Sequence, residues 1–247
     1  MELFHYIDFE TLSNCNRRCP TCIRNSHPDR DALKAWFEPH YLPIDVIKAA
    51  LDQCVELGFR GGVCLSHYNE PTMDERLADI ADMVKSYNWF SSIHINTNGD
   101  FMTEELAARL DGVLDRVIMS LYMKDPVKSE RAKWVRTLFH KTALDLNEQG
   151  IDLHIPTHFS PNFPVKELAE KYIDNDCKEP AMRVIINHRQ QYILCCEDVI
   201  GNFGLPTFPE MGIGDYWFNS RRTEIQNILS ESGGRRKLSY CASCPRT

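Results

Sequence analysis

Three cysteines crowd one short stretch, Cys15-Asn16-Arg17-Arg18-Cys19-Pro20-Thr21-Cys22, and four more, Cys177, Cys195, Cys241 and Cys244, lie in the last third of the chain. Thiolates are soft ligands suited to zinc and to iron–sulfur clusters. Three in one loop fall one short of a closed tetrahedral zinc site, which His27 could complete. The same three could hold a four-iron cluster and leave one iron open to a substrate or cofactor. Spacing alone keeps both readings. Cys54 and Cys64 fall in apolar helix and strand segments and read as buried, inert thiols.

Disulfides are a poor account of the ten cysteines, because a chain of 247 residues can bury a sizeable core without them. The amino terminus carries Glu2, His5, Asp8 and Glu10 where a signal peptide needs an apolar run, and no stretch is long enough to cross a bilayer. A cytoplasmic protein with no membrane partner is the expectation. With 43% hydrophobic and 26% charged residues and a formal charge of -7, the chain reads as folded and unsuited to general nucleic-acid binding. Its only basic run, Arg235-Arg236-Lys237, reads as a solvated turn beside Gly233-Gly234.

The elements that must position these thiols follow from periodicity. A strand over residues 3–9 runs into the Cys15 loop. Helix 44–57 and strand 62–65 follow, then helix 74–86, strand 92–96, helix 103–110 and strand 114–121. A long helix from about 130 to 148 should stop at Gly150, ahead of a strand at 151–155 and a helix at 165–172. This is an α/β alternation that fits an incomplete barrel, and an open doubly wound sheet has the same periodicity. Beyond residue 175 the rhythm changes. Strands at 181–187 and 192–195 read as a hairpin, the stretch 201–214 is too rich in Gly and Pro for a regular helix, and helix 221–232 should end at the glycine pair. The expected division is a barrel over residues 1–174 and a small thiol-rich domain over 175–247.

In a parallel α/β architecture the loops leaving the carboxyl ends of the strands meet on one face. Those loops carry Ser66 to Pro71, Asn96 to Gly99, Ser120 to Tyr122 and Pro156 to His158. Glu70 could pair with a ligand ammonium, while Asn96, Thr97, Asn98 and Ser120 could bind a ribose or an amino-acid headgroup. The plainer account is local turn chemistry, Asn98-Gly99 being a common turn pair and Pro71 a helix start.

The spacing Cys15-x3-Cys19-x2-Cys22 resembles the cluster motif of the radical S-adenosylmethionine superfamily. The resemblance implies a partial (β/α)6 TIM-like barrel followed by a small α+β iron–sulfur domain. It also implies a four-iron four-sulfur cluster on the three thiolates, whose unique iron chelates S-adenosylmethionine. Reductive cleavage of that cofactor then yields a 5'-deoxyadenosyl radical. Asn69-Glu70-Pro71 resembles the family's Gly-Glu-Pro segment, so Glu70 takes the contact to the methionyl amino group. Thr97, Asn98 and Ser120 fall at positions similar to ribose or carboxylate contacts. Asn69 stands in place of the usual glycine, and Thr21 in place of a frequent aromatic. In the tail, Cys177, Cys195, Cys241 and Cys244 resemble the ligands of the twitch or SPASM-like auxiliary-cluster domain, which implies a second four-iron cluster, with zinc as the competitor. Cys196 could exchange with Cys195. Cys195 is preferred because its eighteen-residue offset from Cys177 is similar to that in dehydrogenases of the 2-deoxy-scyllo-inosamine type.

The resemblance implies a radical oxidoreductase that removes hydrogen from an alcohol carbon of a small metabolite, with the auxiliary cluster accepting the second electron. A flavodoxin- or ferredoxin-like protein would be the donor. The hydroxyl proton needs a base, for which His67, Tyr68, Tyr122, His154, His158 and Arg183 are candidates. His67, Tyr122, His154 and His158 stand first, because arginine normally stays charged. Two other functions fit the same residues: modification of a precursor peptide by epimerisation or crosslinking, and metal binding without catalysis.

Overall fold

The computed structural model describes residues 3–19, 22–121, 126–147 and 164–246. Seven strands form one sheet: β1 Tyr6–Phe9, β2 Gly62–Cys64, β3 Ser92–Thr97, β4 Arg116–Ser120, β5 Ala143–Asn147, β6 Arg183–Ile186 and β7 Tyr192–Ile193. The spatial order is β5-β4-β3-β2-β1-β6-β7. Every pairing is parallel except β6 with β7. The result is an α/β fold with a mixed sheet.

The helices are α1 Ile23–Ser26, α2 Arg30–Trp36, α3 Ile44–Glu56, α4 Leu77–Ser86, α5 Glu104–Leu110, α6 Pro126–Leu138, α7 Val165–Tyr172, α8 Glu179–Met182, α9 Ile213–Trp217, α10 Ser220–Ser230 and α11 Ser239–Ala242. Among the described residues, none is long and apolar enough to cross a membrane. The crossover helices α3, α4 and α5 bury Ile47, Leu51, Ile80, Val84, Ala107 and Leu110 in the core. Full burial of each large aliphatic side chain stabilises by roughly 1.5–3 kcal/mol. That packing turns the carboxyl ends of β1 to β4 toward one rim, where the loops carrying Cys15, Glu70, Asn98 and Ser120 emerge.

Most expected elements are present within a few residues, and one reading is corrected. The single helix expected over 130–148 is instead α6, a turn and β5. Ala143-Leu144-Asp145-Leu146-Asn147 alternates with period two and pairs with β4 in register from Arg116–Ala143 to Ser120–Asn147. The turn before it is held by Asp111, whose Oδ1 accepts from the backbone N–H of His140, Lys141 and Thr142 at 2.8–3.0 Å. The strand expected at 151–155 lies outside the described residues, as do Tyr122, His154 and His158.

Residues 183–193 form the expected hairpin, and it does more than begin a small appendage. Strand β6 pairs in parallel along the free edge of β1, Ile7 opposite Val184 and Phe9 opposite Ile186. The Cys177-to-Cys244 region is thereby tied to the strand that launches the Cys15 loop. Arg235, expected in a solvated turn, is 1% exposed. Arg236 and Lys237 are the solvated members of the run, Arg236 paired with Asp174 at 2.8 Å through two nitrogens.

Candidate functional site

Cys15, Cys19 and Cys22 line a cavity of about 380 Å³ that Glu70, Thr97, Asn98 and Ser120 also reach. The loop carrying the thiols has no regular structure of its own over most of its length, so its position depends on side-chain anchors. Arg17 grips Asp100 through two hydrogen bonds of 2.5 and 2.7 Å and donates to the Asn98 carbonyl at 3.0 Å. Arg24 donates to the Ser13 and Tyr68 carbonyls and lies 3.9 Å over the Phe37 ring. Asn98 Nδ2 donates to Asn16 Oδ1 at 2.8 Å. The loop is stitched to the ends of β2 and β3.

Glu70 is 2% exposed and its carboxylate is fully oriented. Oε1 accepts from the Thr72 backbone N–H at 3.1 Å, the Thr72 hydroxyl at 2.6 Å and the Thr97 hydroxyl at 2.5 Å; Oε2 accepts from the Asn98 N–H at 2.7 Å. The plain turn reading of Glu70-Pro71 therefore holds locally, since Glu70 caps the 3-10 turn Pro71–Met73. The same bonds aim the carboxylate at the cavity. Asn98-Gly99 does form the turn: Gly99 has φ +76, and a Cβ there would lie 2.3 Å from Met119 Cε.

The thiols suit a metal cluster by chemistry, thiolates being the usual ligands of iron–sulfur centres. Burial pushes Cys15 up, and pushes Cys22 up to about 12, so without a Lewis acid both stay protonated. Bound iron would reverse that preference. Among the described residues no three His, Cys, Asp or Glu side chains are gathered tightly enough to hold one metal ion.

The second thiol group is brought together by α10, α11 and the loop after β7. Cys177 donates its backbone N–H to Leu229 O at 2.7 Å, at the end of α10, and Cys244 donates to Cys241 O at 3.1 Å. Burial pushes the Cys241 thiol up to about 12, with the neighbouring Cys244 and Cys177 adding to the rise. Cys195 is pushed up by burial, Cys244 again contributing. Cys196, and not Cys195, lines the cavity together with Arg183 and Arg246.

The remaining cavity wall supplies His67, Tyr68, Asp8, His94, Cys64 and Arg183. Burial lowers the His67 imidazole to about 4, and its Nε2 is buried without a hydrogen-bond partner. The Tyr68 hydroxyl is likewise buried and unpartnered. Arg183, at the start of β6, donates to Asp8 Oδ2 at 2.8 Å. Cys64 is buried as expected, its S–H directed at Ser66 O, and it also borders the cavity. Sequence reasoning passed over Asp8 and His94. The signal was present in Asp8, a carboxylate within an otherwise apolar strand.

With this geometry in place, comparison with known proteins identifies the class. The chain matches the Radical SAM superfamily over residues 9–172 and belongs to it. It is a radical SAM enzyme with the superfamily's S-adenosylmethionine-binding fold. Among individual relatives, it is 26% identical over 258 residues to the S-adenosyl-L-methionine-dependent 2-deoxy-scyllo-inosamine dehydrogenase of Niallia circulans, covering 98% of this chain and 93% of the relative. The crystal structure of BtrN in complex with AdoMet and 2-DOIA superposes with a TM-score of 0.79 at 23% identity, over 98% of this chain and 93% of that one. Streptococcus suis SuiB bound to precursor peptide SuiA gives 0.63 at 11% identity, over 94% and 70%. The shared fold accords with a partial barrel.

Proposed function

We propose that this enzyme oxidises an alcohol carbon of a small polyhydroxylated metabolite, using S-adenosylmethionine and two four-iron four-sulfur clusters. The observation that carries this reading is the convergence of the three loop thiols, an oriented Glu70 and an unpartnered His67 on one cavity. The 26% identity with a dehydrogenase of an aminocyclitol, over nearly the whole of both chains, supports the substrate class.

Cys15, Cys19 and Cys22 would hold the first cluster, and Cys177, Cys195, Cys241 and Cys244 the second, in residues 175–247. When bound, the first cluster and the cofactor supply a 5'-deoxyadenosyl radical that takes a hydrogen atom from the substrate. Glu70 receives the methionyl ammonium, its geometry set in advance by Thr72, Thr97 and Asn98. Thr97, Asn98 and Ser120 complete the polar cradle. His67 is the base: its buried Nε2, on the cavity wall and without a hydrogen-bond partner, takes the proton of the substrate hydroxyl. Asp8 and Arg183 offer a carboxylate and a guanidinium to the remaining hydroxyl or amino groups. Tyr122, His154 and His158 stay as further candidates for contact with the substrate. Four protein ligands leave the second cluster closed to substrate, which suits an electron acceptor. We place the enzyme in the cytoplasm, reduced by a flavodoxin- or ferredoxin-like protein.

The test is an anaerobic metabolite screen on reconstituted protein, following 5'-deoxyadenosine together with a coupled product. A product lighter by two hydrogens, formed one for one with 5'-deoxyadenosine, is expected from a cyclitol or amino sugar. Turnover of a precursor peptide alone, as an epimer or a crosslink, would refute the substrate class. Cys15→Ser, Cys19→Ser and Cys22→Ser should each abolish cofactor cleavage, and Cys241→Ser should chiefly impair product oxidation.

A further inference from the structure

Arg235 is a charged side chain buried where water cannot reach it. It is 1% exposed, and two of its three guanidinium nitrogens, Nε and Nη2, are buried with no hydrogen-bond partner. Nη1 donates to the Arg246 carbonyl, and the guanidinium also lies within hydrogen-bonding reach of the Cys177 thiol. No carboxylate pairs with it among the described residues, whereas Arg246 has Glu197 at 2.6 Å and Arg183 has Asp8 at 2.8 Å. A buried cation without an anion is strongly disfavoured, so an arginine held this way implies a negative group in front of it.

The position of Arg235 says which group. It lies in the 3-10 turn Gly234–Lys237, immediately ahead of α11, which carries Cys241. Its positive charge acts on the thiols of Cys177, Cys241 and Cys244. Four thiolates around a cubane are net anionic, and a further electron makes them more so. A fixed cation with spare N–H groups stabilises that reduced form over the oxidised one.

We propose that Arg235 is a tuning residue that raises the reduction potential of the cluster held by Cys177, Cys195, Cys241 and Cys244, fitting that site to accept the substrate's electron. This rests on the auxiliary-cluster reading given above. It assigns to the basic run a role that neither substrate binding nor cofactor cleavage requires.

The experiment is a redox titration monitored by electron paramagnetic resonance, on anaerobically reconstituted protein. A Cys15→Ser/Cys19→Ser/Cys22→Ser background leaves only the second cluster visible. Arg235→Met should shift its reduction equilibrium at least tenfold toward the oxidised form, about 59 mV for a one-electron couple. Arg235→Lys should retain most of the wild-type potential, and Arg236→Met, which removes the exposed neighbour, should leave it unchanged. An unmoved potential in Arg235→Met, or equal shifts in Arg235→Met and Arg236→Met, overturns the role while leaving the cluster assignment intact. If Arg235→Met sheds iron and Arg235→Lys keeps both iron and potential, the charge is what the site needs and the role stands. Iron lost from both, with the fold preserved, overturns it. No iron in the triple-cysteine protein itself overturns the auxiliary-cluster reading along with the role.

Discussion

At the scale of single residues, Glu70 shows how a side chain that caps a turn can also line a cavity. Four donors converge on its two oxygens, so Glu70→Gln presents an amide N–H to groups that are themselves donors. We expect a stability loss of roughly 1–3 kcal/mol in urea unfolding and a fall in 5'-deoxyadenosine formation on the order of 100-fold. His67 carries a pH signature. Its folded pKa, about 4, lies below the ordinary value of 6.5, so the unfolded chain binds the proton first as pH falls. The stability tied to a neutral His67 is complete above about pH 6.5 and is lost progressively toward about pH 4. His67→Leu should flatten that decline, read as a smaller drop in urea midpoint between pH 7 and pH 5. Glu70 and the seven candidate cysteines were legible because residue type and spacing alone suggest their chemistry. Asp8 and Arg235 were not, since a lone carboxylate in a strand and an arginine in a basic run acquire meaning only from what they face.

At the scale of elements, the decisive feature is β6 on the free edge of β1. It brings Arg183 onto Asp8, whose side chain is 3% exposed, and so closes the back of the cavity. Arg183→Met should leave a buried carboxylate unpaired and cost about 3–5 kcal/mol. Adding Asp8→Asn should recover much of that loss, which a double-mutant cycle in denaturant will measure. Near the second thiol group the 3-10 turn is similarly committed: a Cβ on Gly234 would lie 1.6 Å from the Ile228 carbonyl oxygen. Gly234→Ala should therefore displace the turn and lower the iron content of the tail site while leaving cofactor cleavage in place. The hairpin of β6 and β7 was readable from its alternation and turn. Its docking onto β1 was not, because pairing between residues 177 apart leaves no local mark, and the α6–β5 boundary was hidden because no Gly or Pro interrupts the stretch from Leu138 to Asn147.

At the scale of the molecule, charge is unevenly spread. Residues 15–37 contain five Lys or Arg against Asp29 and Asp31, in a chain of net charge -7. Arg18, Arg30 and Lys34 are exposed around a groove that Cys15 also borders. An acidic one-electron carrier of the kind proposed as donor would be steered there. The double variant Arg18→Glu/Arg30→Glu should slow reduction by flavodoxin about tenfold at low ionic strength, with the gap closing in high salt. Reduction by dithionite should be unaffected. The amino-acid sequence by itself determined the superfamily, the alternating α/β build and both thiol sets, because these reside in residue type, spacing and local period. Only the tertiary structure decided which wall each thiol faces, what surrounds His67, and where β6 and Arg235 come to rest, because those depend on contacts between segments far apart in the chain, and burial is a property of the assembled core.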